Sequence, residues 1–257
     1  MPKRATAAYL YCVVKSARRP SAARAPQGLP GSSPPEAHQA APSLWVITAD
    51  VPLDVYGPAA LERHLRDLDW VSRAAVAHEA VVEHFSRIRG MVVVPAKLLT
   101  MFTTVDKTVA DVAARRAALS RVMKRIAGCE EWGVRIFRTT PAATAASTER
   151  PSSGAAFLTA RKAARDAVVD ARLRAAGVAD TAYQRLAKQS RDAVQRERRQ
   201  EPGTNPPILD SAFLVPVAKR AAFKKEARTQ RESCVEAGLE LALTGPWPAY
   251  NFIGNPT

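Results

Sequence analysis

Three cysteines are all this 257-residue chain contains, Cys12, Cys129 and Cys234, and no two stand in a Cys-x-x-Cys spacing. That odd, scattered set excludes a disulfide framework and a structural zinc site as organising devices, and it fits a reducing, cytoplasmic compartment. Long apolar runs are missing as well. The best candidate, Met91–Phe102, is interrupted by Pro95 and Lys97, well short of the roughly eighteen residues that a membrane span needs. The basic opening "MPKRATAAYLYCVVKS" has a short apolar core with alternating aromatics and no clear cleavage site, so it reads as a first strand rather than a signal peptide. No phosphate-binding glycine loop, dinucleotide fingerprint or Gly-x-Ser-x-Gly elbow occurs. "GLPG" and "GPWP" are turn chemistry, and none of the cysteines neighbours a histidine in sequence.

Histidine is equally scarce, four in all, and the one suggestive cluster is "AHEAVVEH" over residues 77–84. Two zinc-ligating histidines on a helix must stand four apart. The residue four past His78 is Val82, and His84 lies about 240° round from His78 at 100° per residue. Glu79 and Glu83, one turn apart, could form an acid–base pair, yet Arg87 four residues past Glu83 offers the ordinary helical ion-pair partner. These residues therefore support neither catalysis nor a metal or other cofactor.

Positive charge is abundant. The formal net charge is +14, and it is spread along the chain: residues 1–140 carry 20 Lys and Arg against 12 Asp and Glu, residues 141–257 carry 18 against 12. Such an excess suits a polyanion or an acidic protein partner. The alternative function it raises is that of a basic nucleic-acid-binding regulator. Against it, the basic clusters "RERR" and "KRAAFKK" sit among helical residues and acids, as solvated helix faces do, and no helix-turn-helix or RNP signature is present.

Hydropathy periodicity gives the organisation. "YLYCVV" is apolar on both faces, as an inner strand would be. Residues 17–42, rich in Pro, Ala, Ser and Gly, read as one long mobile loop, and "SLWVITADV" as a second strand. Pro58 opens a helical segment, and Asp69 reads as the N-cap of the next, whose apolar face runs Val71, Ala74, Ala75, Val81, Val82 and Phe85. "MVVVPAKL" makes a strand, Thr103 with Asp106 resembles a capping box, a helix follows to Gly128, and "EEWGVRIFRT" alternates as a strand. The order β-β-α-β-α-β, with two helices on one face of a small sheet, predicts an α+β sandwich of modified ferredoxin-like type over 1–140. Residues 141–154 read as a linker. Residues 155–257 read as a second domain: a long helical region to about 200, either two helices broken at Gly177 and Asp180 or one kinked helix, then a small α+β unit ending in a Pro/aromatic tail.

Several stretches in this order resemble the gas vesicle protein F/L family (GvpL/GvpF). They are "YLYCVV", "WVSRAAVAHEAVVEHF" (70–85), "VVVPAKLLTMF" (92–102), "EEWGVRIF" (130–137), "SGAAFLTARKAARD" (153–166), "SAFLVPV" (211–217) and "LELALTGPWPAYNF" (239–252). The motif residues are His78 and Glu79, then Glu131, Trp132 and Gly133, then Gly245, Pro246, Trp247, Pro248, Tyr250 and Phe252. One departure is visible: after Pro95 the family continues with arginine, phenylalanine and glycine, where this chain has "AKLLTMF". The resemblance implies a two-domain α+β accessory protein without enzymatic activity. It also implies association with the small hydrophobic shell subunit, with other gas vesicle accessory proteins and with the gas vesicle itself.

The tail poses its own question, because Trp247, Tyr250 and Phe252 fall within six positions of a chain only 6% aromatic. Leu239, Leu241 and Leu243 alternate as a strand, Gly245 and Pro246 turn out of it, and the three rings either pack back as a clasp, the favoured reading, or form an exposed partner site. A fully buried Trp247 ring would make Trp247→Ala cost about 3–5 kcal/mol.

Overall fold

The computed structural model describes residues 5–139, 154–197 and 205–254. They form two units, Met1–Glu130 with Trp247–Thr257, and Glu131–Pro246. This division differs from the expected one at both ends. The strand at 129–138 runs into the second unit, and the tail belongs to the first. The linker expected at 141–154 lies outside the described residues, apart from Gly154.

The first unit is built on β1 (Thr6–Lys15), which is buried along all but its end residues. It pairs antiparallel with β3 (Leu44–Pro52), β4 (Val92–Pro95) and the two-residue β5 (Met101–Phe102). Outside β3 lies β2 (Glu36–Ala41), giving the order β2-β3-β1-β4. That strand falls inside the stretch expected to be one loop. Its residues, "EAHQAA", carry little strand propensity of their own; pairing with β3 through a tight turn at Ser43 (φ 61°) supplies what propensity does not. The rest of the stretch is also anchored. Leu29 is fully buried in the core, its amide donates to Tyr11 Oη at 2.9 Å, and Tyr56 Oη donates to the Pro30 carbonyl at 2.9 Å.

Two short helices, α1 (Leu53–Tyr56) and α2 (Pro58–His64), lead into α3 (Leu68–Ser86). Pro58 takes the first helical position as expected. The N-cap of α3 is Asp67 rather than Asp69: its carboxylate accepts from the amides of Asp69 and Trp70 at 2.9 and 3.1 Å. Likewise Thr104, not Thr103, caps α4 (Val105–Ala114), accepting from Lys107 N at 3.3 Å. A break at Arg115 separates α4 from α5 (Arg116–Ile126). The helices take both faces of the sheet rather than one. A register shift between Leu10 and Cys12 puts Ala7, Tyr9, Tyr11, Cys12 and Val14 in one cluster with Ala74, Val81, Val82 and Phe85 of α3. Leu10, Val13 and Val94 instead line a pocket with Val112 of α4 and Leu119 of α5. The unbroken apolar run of "YLYCVV" is the signature of a strand covered on both sides.

In the second unit, β6 (Cys129–Arg138), α6 (Gly154–Ala187), β7 (Asp192–Gln195), β8 (Leu209–Pro216), α7 (Arg220–Glu236) and β9 (Leu239–Trp247) form a sheet of order β7-β8-β6-β9 with two helices. Of the two alternatives the single helix is found, running through Gly177, and it stops at Ala187, leaving β7 where helix was expected. Ala175, Ala179, Ala182 and Leu186 of α6 and Phe223, Ala227 and Cys234 of α7 meet Trp132, Val134 and Ile136 of β6 and Phe213 and Val215 of β8 in one core.

Gly28 shows how tightly the anchored loop fits. It has φ +83°, and a Cβ there would overlap the Tyr11 hydroxyl. Gly28→Ala should lower stability by about 2–4 kcal/mol, read as a shifted urea midpoint at unchanged m.

Candidate functional site

Residues i and i+2 of a strand share a face, so Tyr9 and Tyr11 of β1 stand side by side, ring centroids 4.8 Å apart. Opposite them α3 presents His78, almost fully buried between Ala74 and Val81. Its ring stacks on Tyr11 at 5.7 Å and 28°, and meets Tyr9 edge-on at 5.7 Å and 77°. Tyr9 Oη and His78 Nδ1 are 2.8 Å apart, while Leu99 N donates to the same hydroxyl at 3.1 Å. A neutral imidazole with an unprotonated Nδ1 lets the Tyr9 hydroxyl donate to it while accepting from Leu99 N. Burial lowers the His78 pKa from 6.5 to about 4, only partly opposed by the Ala96 backbone. Leu99 holds φ +63°, a left-handed conformation uncommon for a residue that carries a side chain.

Glu79, the next residue of α3, faces the tail. Its Oε2 accepts from Tyr250 Oη at 2.6 Å, and its Oε1 is buried without a hydrogen-bond partner among the described residues. Burial raises its pKa above the carboxylate range, Glu83 adds to the rise, and the Tyr250 hydroxyl opposes it. Glu83 itself pairs with Arg87 at 2.5 Å, so the two glutamates do not act as a couple. Ala249, Phe252 and Ile253 are buried, and the Phe252 carbonyl accepts from the Arg125 guanidinium of α5. The tail is thus held at α3 and at α5. Sequence reasoning missed the roles of Tyr9, Tyr11 and Arg125, although the Tyr-x-Tyr alternation in a doubly buried strand was visible.

Trp247 does not join the clasp. It is 43% exposed, because β9 extends through it and ends only after Gly245 and Pro246. Tyr250 and Phe252 do pack back.

The remaining motif residues meet in the second unit. Glu131 and Trp132 are buried in β6, and the Trp132 ring lies 6.1 Å from that of Phe223, with Lys224 Nζ 5.9 Å above it. Gly133 and Gly245 permit close approach of β6 and β9. A Cβ on Gly133 would stand 2.6 Å from Thr244 Oγ1, and one on Gly245, at φ +121°, 2.8 Å from the Glu131 carbonyl. Pro246 follows in a cis peptide, and Pro248 leads into the short turn Tyr250–Phe252. Among the described residues no group of three or more His, Cys, Asp or Glu could hold a metal ion, and no helix is long and apolar enough to cross a membrane. The two motif clusters, one in each unit, join strand to helix and strand to strand. Each is a hub that ties neighbouring elements together, although in the first cluster His78 Nε2 and Glu79 Oε1 are buried without a hydrogen-bond partner among the described residues.

The fold and its two hubs define a two-unit α+β protein whose motif residues hold its own elements together. The chain belongs to the gas vesicle synthesis protein GvpL/GvpF family, whose model matches residues 7–254. It is 29% identical over 225 residues to gas vesicle protein L of Streptomyces sp. (strain CB03234), covering 82% of this chain and 80% of that one. Its fold is that of the crystal structures of gas vesicle protein GvpF from Anabaena sp. PCC7120 and from Microcystis aeruginosa. The former gives a TM-score of 0.66 at 15% identity over 96% of each chain. The latter gives 0.65 at 13% identity over 96% of this chain and 98% of that one. A role in gas vesicle formation follows from the family.

Two tests follow. Phe252→Ala should cost about 3–5 kcal/mol by removing a buried ring, whereas Trp247→Ala should cost under about 1 kcal/mol, both measured by urea denaturation. A histidine depressed in the folded state stabilises it fully above the unfolded pKa of 6.5, and that contribution is lost as pH falls toward 4. Glu79, raised, works with opposite sign, favouring the fold at low pH and losing that as pH rises through its folded pKa. Wild type should therefore lose up to roughly 3 kcal/mol from His78 over that acidic window, and His78→Gln should flatten that limb of the stability–pH curve.

Proposed function

We propose that this chain is a non-enzymatic assembly factor of gas vesicle formation, acting in the cytoplasm and on the growing vesicle by binding the small hydrophobic shell subunit together with other accessory proteins. The observation that carries the reading is the family match, which runs through both units from residue 7 to 254. The site chemistry supports it. His78 is neutral and its Nδ1 is occupied by Tyr9, Glu79 is tied to the tail, and Cys12 is fully buried with its thiol pKa pushed far up. None of these is poised as nucleophile or base. The physical need is plain. A shell subunit with a water-repelling face aggregates unless a soluble partner covers that face before it enters the wall.

The motif residues, in this reading, build the scaffold that presents the binding surface rather than forming the surface. Steering by the +14 charge toward acidic partners is consistent with the reading. The same charge motivates the nucleic-acid alternative, which predicts DNA or RNA binding that weakens steeply with added salt.

The test is co-purification of the full chain with the shell subunit at moderate salt, alone and with the accessory proteins present. Stable association is expected. Failure to associate under every combination would refute the proposal.

A further inference from the structure

The two halves of α6 have different fates. From Ala175 onward, Ala175, Ala179, Ala182 and Leu186 are buried in the core of the second unit. Before Ala175, every residue from Phe157 to Arg174 is exposed. The apolar stripe does not stop where the burial stops. Phe157, Ala164, Val168 and Ala171 lie within about 40° of the same line along the helix at 100° per residue. The exposed stretch therefore extends, for about 21 Å from Phe157 to Ala171, the face the helix already uses for packing, with Arg161 at its edge. Of the exposed apolar side chains, Phe157 (50%) and Val168 (51%) lie on the stripe, whereas Leu158, Val169 and Leu173 (46–66%) lie about 100–160° round the helix from it. The stripe runs into a groove of about 420 Å³ lined by Val168, Ala171, Ala175, Gly238 and Leu239 among others.

Charge at the edges of the stripe selects the occupant. Arg161, Arg165 and Arg172 lie along one flank, about 40–80° from the line, and none makes an ion pair with another described residue. The opposite flank carries Ala160, Ala167 and Arg174, while Asp166 and Asp170 lie on the back of the helix, away from any partner seated on the stripe. A second copy of this chain would oppose arginine to arginine in an antiparallel pair and would bring no carboxylate to either flank in a parallel one. The alanines at Ala164 and Ala171 admit a close helix–helix approach. We infer that residues 157–174 of α6 dock an amphipathic helix with an apolar seam and carboxylates along its flank, belonging to another protein of the gas vesicle assembly. The identity of that protein rests on the function proposed above; the chemistry of the docked helix does not.

The experiment uses the full chain, two surface variants and defined probes. The variants are Val168→Glu with Ala164→Glu, which breaks the seam, and Arg161→Glu with Arg165→Glu and Arg172→Glu, which reverses the flank. All five positions are exposed, so thermal denaturation should match wild type. The first probe is a fluorescein-labelled helical peptide of three heptads with a Leu/Ala seam and Glu flanks; its control carries Lys flanks. Fluorescence anisotropy should show the Glu peptide binding wild type, at least tenfold weaker binding to each variant, and no binding of the Lys peptide. Equal binding to wild type and variants, or equal binding of the two peptides, overturns the inference. So does a wild-type dimer in sedimentation velocity that the Val168→Glu variant abolishes.

The second probe is the purified shell subunit and each accessory protein in turn. Their undiminished capture by both variants sinks the docking face while the assembly role stands. Binding of the Glu peptide with no gas vesicle protein ever captured sinks the assembly role while the docking chemistry stands.

Discussion

The first unit depends on one strand, β1, being covered on both faces. Tyrosine hydroxyls in such a strand are cut off from water, and an unsatisfied buried hydroxyl costs on the order of 1–3 kcal/mol. Each is satisfied by a segment distant in sequence: Tyr11 by the Leu29 amide, Tyr9 by His78 and the Leu99 amide. Meeting that demand fixes much else. The loop before β2 must return over the sheet to deliver Leu29, and Gly28 must lack a side chain to let it pass. The connection between β4 and β5 must curl through Leu99 at positive φ. α3 must be set at a rotation that puts His78 inward, which leaves Glu79, about 100° further round, turned to the tail.

How legible this was depended on the range of the interactions concerned. Strands with their own periodicity were readable: β1, β3 and β6 stand where hydropathy put them, because one or both faces are buried. The elements that were not readable owe their form to partners. β2 is alanine-rich and β7 is four residues long, and each exists by pairing with a stronger neighbour. The caps of α3 and α4 moved by one or two residues because adjacent Asp and Thr residues compete for the same role, and only geometry chooses between Asp67 and Asp69 or Thr103 and Thr104. In the sequence Gly177 leaves one helix or two open; in the structure it points away from the core stripe with open space around it. There it costs only about 1 kcal/mol of propensity and the helix runs on. Among the candidate site residues, the pairing of Glu79 with Tyr250 spans 171 positions and left no local trace. Trp247, by contrast, shows that aromatics clustered in sequence need not form one packing group: the strand carries the first ring outward.

The chain path has a consequence for folding. Residues 247–257 belong to the first unit but are separated from the rest of it by the whole of the second. During synthesis the sheet of the first unit can form early, as N-terminal domains do. The carboxylate of Glu79 and the guanidinium of Arg125, however, acquire Tyr250 and the Phe252 carbonyl only when residues 250–252 have been made. Completion of the first unit is thereby tied to synthesis of the second, so that a truncated chain lacks the ring of Phe252 in its core and the hydrogen bond to Glu79 together.

Helix propensity accounts for the length of α6 but not for its composition. Alanine and arginine, which dominate it, are strong helix formers, and beyond Ala175 the packed face adds tertiary stabilisation. A projecting half that served only as a spacer would be as helical, and more soluble, with lysine, glutamate or glutamine on every side. Instead it carries phenylalanine, leucine and valine outward, two of them in register with the core stripe. β-branched Val168 and Val169 even lower the propensity of the segment. Residues that weaken the free helix and expose apolar surface work against the isolated chain on both counts. They make physical sense in a helix whose free energy is completed by something laid against it.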